Sequence, residues 1–105
     1  MSYILRFTQQ YQISNAQVFL ELETQFQALE MHTPKFPRGR RYQPLAGGEP
    51  TNTLVWECAF DSLTDIEAAL KIIADDPMHT ELFEKQSPYI VQSRTEIYKE
   101  IDFKS

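Results

Sequence analysis

The 105-residue sequence has little cysteine, histidine, glycine or surplus basic charge. Its one cysteine, Cys58, cannot close an intrachain disulfide, which fits a reducing compartment. Its two histidines, His32 and His79, lack the spacing and flanking carboxylates of a metal-binding helix, so no metal site is expected. Of the three glycines, Gly47 and Gly48 run into a proline turn and a strand, not a helix, which excludes a phosphate-cradling loop. No Ser-His-Asp set can be picked out by spacing, and no cofactor is expected. Ten Lys and Arg stand against fifteen Asp and Glu, a net charge of −5, and a nucleic-acid partner is disfavoured because phosphate contacts need a basic surface. No apolar run approaches the ~20 residues that span a bilayer. Met1 to Arg6 shows no basic region followed by a long apolar stretch. The expectation is a cytoplasmic chain with no membrane partner.

What is present is ordinary globular material: 42% hydrophobic and 24% charged residues, enough for one domain over 1–105 with a modest core. Tyr3 to Tyr11 alternates as a strand. Ser14 to Gln17 has the pattern of a capping box, and Val18, Leu22, Phe26 and Leu29 then recur at helical spacing over 15–31, with Glu21, Glu23 and Gln25 off the stripe. Pro34 and Pro37 mark a loop over 32–39. Arg40 to Ala46 can form a strand, held to an edge by Pro44, and Gly47-Gly48-Glu49-Pro50 turns it into a second strand over 52–60. Asp61 or Ser62 caps the next helix, whose buried stripe is Leu63, Ile66, Leu70 and Ile73. Asp76-Pro77 restarts a short helix that Pro88 closes, and Val91 to Ile101 alternates as a last strand.

The order β-α-β-β-α-β is the ferredoxin-like α+β arrangement: a four-stranded antiparallel sheet with both helices on one face. Right-handed crossovers place the first and third strands in the centre. Strand alternation assigns Leu5, Phe7, Leu54, Trp56, Cys58, Phe60, Val91 and Ile97 to the helix-covered face. Ile4, Arg6, Thr8, Val55, Glu57, Ala59, Arg94, Glu96 and Tyr98 then share the opposite face. That face mixes apolar and charged residues. It is either solvated or covered by a second copy, and the latter is expected: a homodimer through the sheet face, enclosing a space between sheets.

The assembled residues resemble the NIPSNAP-like branch of the dimeric α/β-barrel superfamily. Trp56-Glu57-Cys58-Ala59-Phe60-Asp61-Ser62-Leu63 carries most of the likeness, with Ala74-Asp75-Asp76-Pro77, Leu82-Phe83 and Pro88, and with the opening Tyr3-Ile4-Leu5-Arg6. The resemblance implies pairing through the sheets. It also implies relatives that include cofactor-free monooxygenases, isomerases and haem binders, beside many of no assigned activity. The basic, proline-containing loop at 32–41 departs from the pattern, and a shared fold does not transfer a substrate.

Six residues form the candidate pocket. Arg6, Glu57, Arg94 and Tyr98 would orient a small organic molecule on the helix-distal face, while His32 and Arg41 would guard an entrance near the first helix's exit. Each has a structural alternative: a register-fixing ion network for the charged strand residues, a C-cap for His32 and a solvated basic loop for Arg41. His79 is expected at the surface, and Trp56 and Cys58 in the core. Two functions follow. One is small-molecule binding, with a cofactor-independent oxygenase or isomerase as its catalytic form. The other is a non-catalytic homodimeric interaction or structural module. An open cavity favours the first and a filled one the second.

Overall fold

The structure is a computed structural model that describes residues 2–103. Strand β1 (Tyr3–Tyr11) leads through a short 3-10 turn into helix α1 (Ala16–His32). Edge strand β2 (Arg40–Tyr42) and strand β3 (Thr53–Phe60) follow, then α2 (Leu63–Asp75), α3 (Pro77–Gln86) and β4 (Ile90–Lys99). The sheet order is β2-β3-β1-β4 with every neighbouring pair antiparallel. This is the expected ferredoxin-like topology with β1 and β3 central. The second helical region is broken at Asp76, whose carboxylate accepts from the His79 N–H at 2.8 Å while Pro77 occupies the first turn. Ser62 caps α2 in the same way, accepting from the Asp65 N–H at 3.1 Å.

Several local expectations are corrected. Residues 13–15 form the 3-10 turn, and neither Ser14 nor Asn15 makes a side-chain cap for α1, so the capping box is not used. Strand β2 stops at Tyr42 rather than Ala46, because Pro44 offers no N–H to the ladder. The buried stripe of α1 is Phe19, Leu22, Glu23, Phe26, Leu29 and Glu30; Val18 is exposed. On α2, Ile66 and Ala69 are buried, Leu70 and Ile73 half-buried, and Leu63 lies half in solvent in the first turn. Val91 is exposed beside a register shift near Tyr11.

Among the described residues the core has three apolar clusters. Leu5, Trp56 and Ile66 join the sheet to α2. Tyr11, Phe19 and Leu54 join it to the start of α1. Leu22, Phe26, Leu29, Phe36 and Leu82 join α1, the 33–39 loop and α3. Full burial of each such side chain is worth about 1.5–3 kcal/mol. Strand β4 has no buried residue, so the helices leave that edge open.

Candidate functional site

The register of β2 on β3 sets Arg41 opposite Trp56, which places Arg41 on the helix-covered face and its neighbours Arg40 and Tyr42 on the other. From there Arg41 reaches two glutamates about two turns apart on one face of α1. Its Nε donates to Glu23 Oε2 at 2.7 Å, and its Nη1 and Nη2 donate to the two oxygens of Glu30 at 3.2 and 2.5 Å. Glu23 and Glu30 are buried and Arg41 is largely so, with all three side chains at 15% exposure or less. Burial disfavours the Arg41 charge. Glu30 and Glu23 outweigh that penalty through hydrogen bonds and Coulombic attraction, so the Arg41 pKa stays above its ordinary value.

Other donors complete the network. Gln86 Nε2, fully buried on α3, donates to Glu23 Oε1 at 2.9 Å and to the Phe19 carbonyl at 3.3 Å. Glu30 Oε1 also accepts from the Gly39 N–H at 3.0 Å and from Trp56 Nε1 at 3.4 Å. Glu23, Glu30, Arg41 and Gln86 form the floor of a cavity of roughly 250 Å³ between the sheet and helices α1 and α3. Its walls are mainly aromatic: Phe7, Phe26, Phe36, Trp56 and Phe83. Phe7 and Trp56 stack with centroids 5.0 Å apart. Ser93, Arg94 and Thr95 line it along the uncovered strand β4.

His79 also lines this space, contrary to the surface position expected for it. It is half-buried, with its ring 4.9 Å from that of Phe26 and 6.3 Å from that of Phe36. Burial lowers its pKa, partly opposed by Asp76, Glu30 and Glu23. Cys58 is half-buried rather than sealed in the core, and burial, reinforced by Glu30, raises its thiol pKa. Among the described residues no three His, Cys, Asp or Glu side chains gather into a set that could hold a metal ion.

The six sequence-derived pocket residues do not come together. Arg6, Glu57 and Tyr98 do meet, on the face away from the cavity: Arg6 Nε donates to Glu57 at 2.6 Å, and the guanidinium lies 4.5 Å above the Tyr98 ring. Arg94 is paired with Glu49 of the β2–β3 connection at 2.5 Å, a bond that raises its pKa, and it borders the cavity at its rim. His32 is exposed at the end of α1 and does not line the cavity. Arg41 is the one of the six that sits deep inside.

The cavity itself lies on the helix-covered side of the sheet, not between the far face and the exit of α1. The helices cover β1 and β3 but leave β4 bare, and that incomplete cover leaves the space. Strand parity cannot register a gap of this kind. Glu23, Glu30 and Gln86 were missed because a polar residue is ordinarily assigned to the outer face. Their spacing did carry a signal, since Glu23 follows Phe19 by four residues and Glu30 follows Phe26 by four.

No family model matches the sequence, and no curated protein matches it. Solved structures do. A NIPSNAP domain protein from Burkholderia xenovorans superposes with a TM-score of 0.76 at 21% identity, over 100% of this chain and 99% of the other. A NIPSNAP family protein from Agrobacterium tumefaciens gives 0.79 at 16% identity, over 98% and 96%. This chain has the fold of the NIPSNAP proteins. The same fold extends to a structure described as an antibiotic biosynthesis monooxygenase, with a TM-score of 0.72 at 12% identity over 97% and 100% of the two chains. At these identities the likeness concerns architecture. No helix among the described residues is long and apolar enough to cross a membrane.

Proposed function

We propose that this NIPSNAP-like protein binds a small organic molecule in the cavity between the sheet and helices α1 and α3. The observation that carries the reading is the open space of roughly 250 Å³, with aromatic walls and a single polar floor, near the lower end of ordinary ligand pockets. A purely structural module has no use for an unfilled gap beside a buried ionic network. Empty space forfeits packing, and the network needs its own desolvation offset.

The catalytic form of this reading is a cofactor-independent isomerase or oxygenase. Such chemistry starts by removing a proton from the substrate. His79, whose pKa is lowered by burial, is a suitable base. The oxyanion formed in that step needs donors, and those of the cavity floor are already committed: Arg41 to Glu23 and Glu30, Trp56 to Glu30, Gln86 to Glu23 and Phe19.

Homodimerisation through the far sheet face accompanies this proposal. Arg40, Glu57, Arg6 and Glu96 stand opposite one another across all four strands in alternating sign. A row of alternating charge can meet its own copy about a two-fold axis. Ile4, Val55 and Tyr98 supply apolar area on the same face.

The test is a thermal-shift screen over small aromatic amines, aromatic acids, lactones, fatty acids and haem. It uses the wild type and Ser93→Trp, which fills the exposed rim without touching the floor. The expected result is at least one compound that stabilises the wild type and not the variant. If no compound stabilises the wild type, or if Ser93→Trp responds equally, the cavity is not a ligand site.

A further inference from the structure

The floor of the cavity has more negative charge than its own residues balance. Two buried carboxylates, Glu23 and Glu30, share one guanidinium, and among the described residues neither has a second ion-pair partner. An uncompensated buried charge is unfavourable, so such sites recruit a counter-charge. His79 also lines the cavity, but burial opposes its protonation more strongly than Asp76 and the two glutamates favour it. Arg94 at the rim is already matched by Glu49.

The hydrogen-bond inventory has the same sign. An ionised carboxylate offers about four acceptor positions. Glu23 accepts from Arg41 and Gln86, which leaves positions open on both its oxygens. Arg41, Gln86 and Trp56 spend the floor's donors on the glutamates. The cavity floor therefore offers acceptors and negative charge, between aromatic faces whose quadrupoles also attract cations.

We propose that the cavity selects an organic cation, an aromatic ring carrying a short ammonium arm, with the ammonium over Glu23 and Glu30 and the ring among Phe7, Phe26 and Trp56. This deepens the binding reading above and rests on it. A neutral or anionic ligand of the same shape would leave the surplus charge unbalanced and would give the open acceptor positions fewer donors or none.

The test is a binding comparison by NMR titration at neutral pH, with three probes of matched shape: phenethylamine, 2-phenylethanol and phenylacetate. The expected order is phenethylamine about tenfold or more tighter than 2-phenylethanol, with phenylacetate weakest. Ser93→Trp should abolish binding of the amine. Glu23→Gln, which removes the surplus charge, should bring the amine and the alcohol to near parity, its fold being checked by circular dichroism. The wild-type comparison decides alone if that variant does not fold. Equal or tighter binding of the alcohol or the acid, blocked by Ser93→Trp, overturns charge selection and leaves the cavity as a binding site. Amine binding that survives Ser93→Trp places the cation elsewhere and overturns the proposal. Absence of binding by all three probes overturns the proposal, and the cavity as a ligand site is then decided by the thermal-shift screen.

Discussion

The indole of Trp56 lies directly on the backbone of Gly39, so closely that a Cβ on residue 39 would fall 1.9 Å from Trp56 Cε2 and Nε1. Glycine is required there for space. The approach lets the Gly39 N–H and Trp56 Nε1 donate to one oxygen, Glu30 Oε1. Gly39→Ala should therefore displace a buried ring and both hydrogen bonds. The expected loss is about 1–3 kcal/mol, as for other overpacked sites. Urea titration followed by the fluorescence of Trp56, the sole tryptophan, measures it. Unchanged stability would mean that the ring and loop are not packed in this way.

Arg41→Met should be among the most damaging single changes, because it strands Glu23 and Glu30 together with no cation between them. Breaking a buried ionic network by removing one side typically costs about 3–5 kcal/mol. Adding Glu23→Gln and Glu30→Gln should recover part of that loss, since the stranded charges go with it. A mutant cycle that sets Arg41→Met against the Glu23→Gln, Glu30→Gln pair, followed by chemical denaturation, measures the coupling. A triple variant no more stable than Arg41→Met would show that the loss is not electrostatic.

Leucine and isoleucine on α2 should separate cleanly. Ile66→Ala opens a cavity in the cluster with Leu5 and Trp56 and should cost about 2–5 kcal/mol. Leu63→Ala, in the exposed first turn, should stay within about 0.5 kcal/mol of wild type. Comparable losses for the two would contradict the observed orientation of α2.

His79 should make stability pH-dependent in a known direction. Its folded pKa lies below the ordinary value of about 6.5, so the unfolded chain binds the proton more readily. Above that pH the residue is neutral in both states and contributes no slope. As pH falls below about 6.5 towards the lowered folded pKa, stability declines. His79→Gln should flatten this part of the stability profile while other groups continue to titrate. Thermal unfolding across that window, compared between the two proteins, checks it; parallel profiles would place His79 in an ordinary solvated environment.

The dimer predicts twice the chain mass by light scattering at micromolar concentration. Arg6→Glu should weaken the assembly, because it sets a third acid beside Glu57 and Glu96 in the central row. A monomer mass for the wild type would end the dimer proposal.

The local patterns of the chain were enough to establish the topology. Alternation in Tyr3–Tyr11 and Thr53–Phe60, the helical period after Asn15, the Ser62 cap and the Asp76-Pro77 restart are all contacts within a few residues, and each sets its own element. The β-α-β-β-α-β order then leaves few ways to connect the strands. Strand parity likewise brought Arg6 and Glu57 onto one face, where they pair. The cavity depended on distances that no local pattern encodes. Arg41 is separated by 18 residues from Glu23, and Gln86 by 63. Glu23 and Glu30 look like solvent-facing residues until β2 sets Arg41 beneath α1. The burial of His79 was equally illegible, since it requires Phe26 and Phe36 to arrive from two other segments. Local chemistry fixes an element's type and face, whereas the burial of a charge becomes favourable only when tertiary packing delivers its partner.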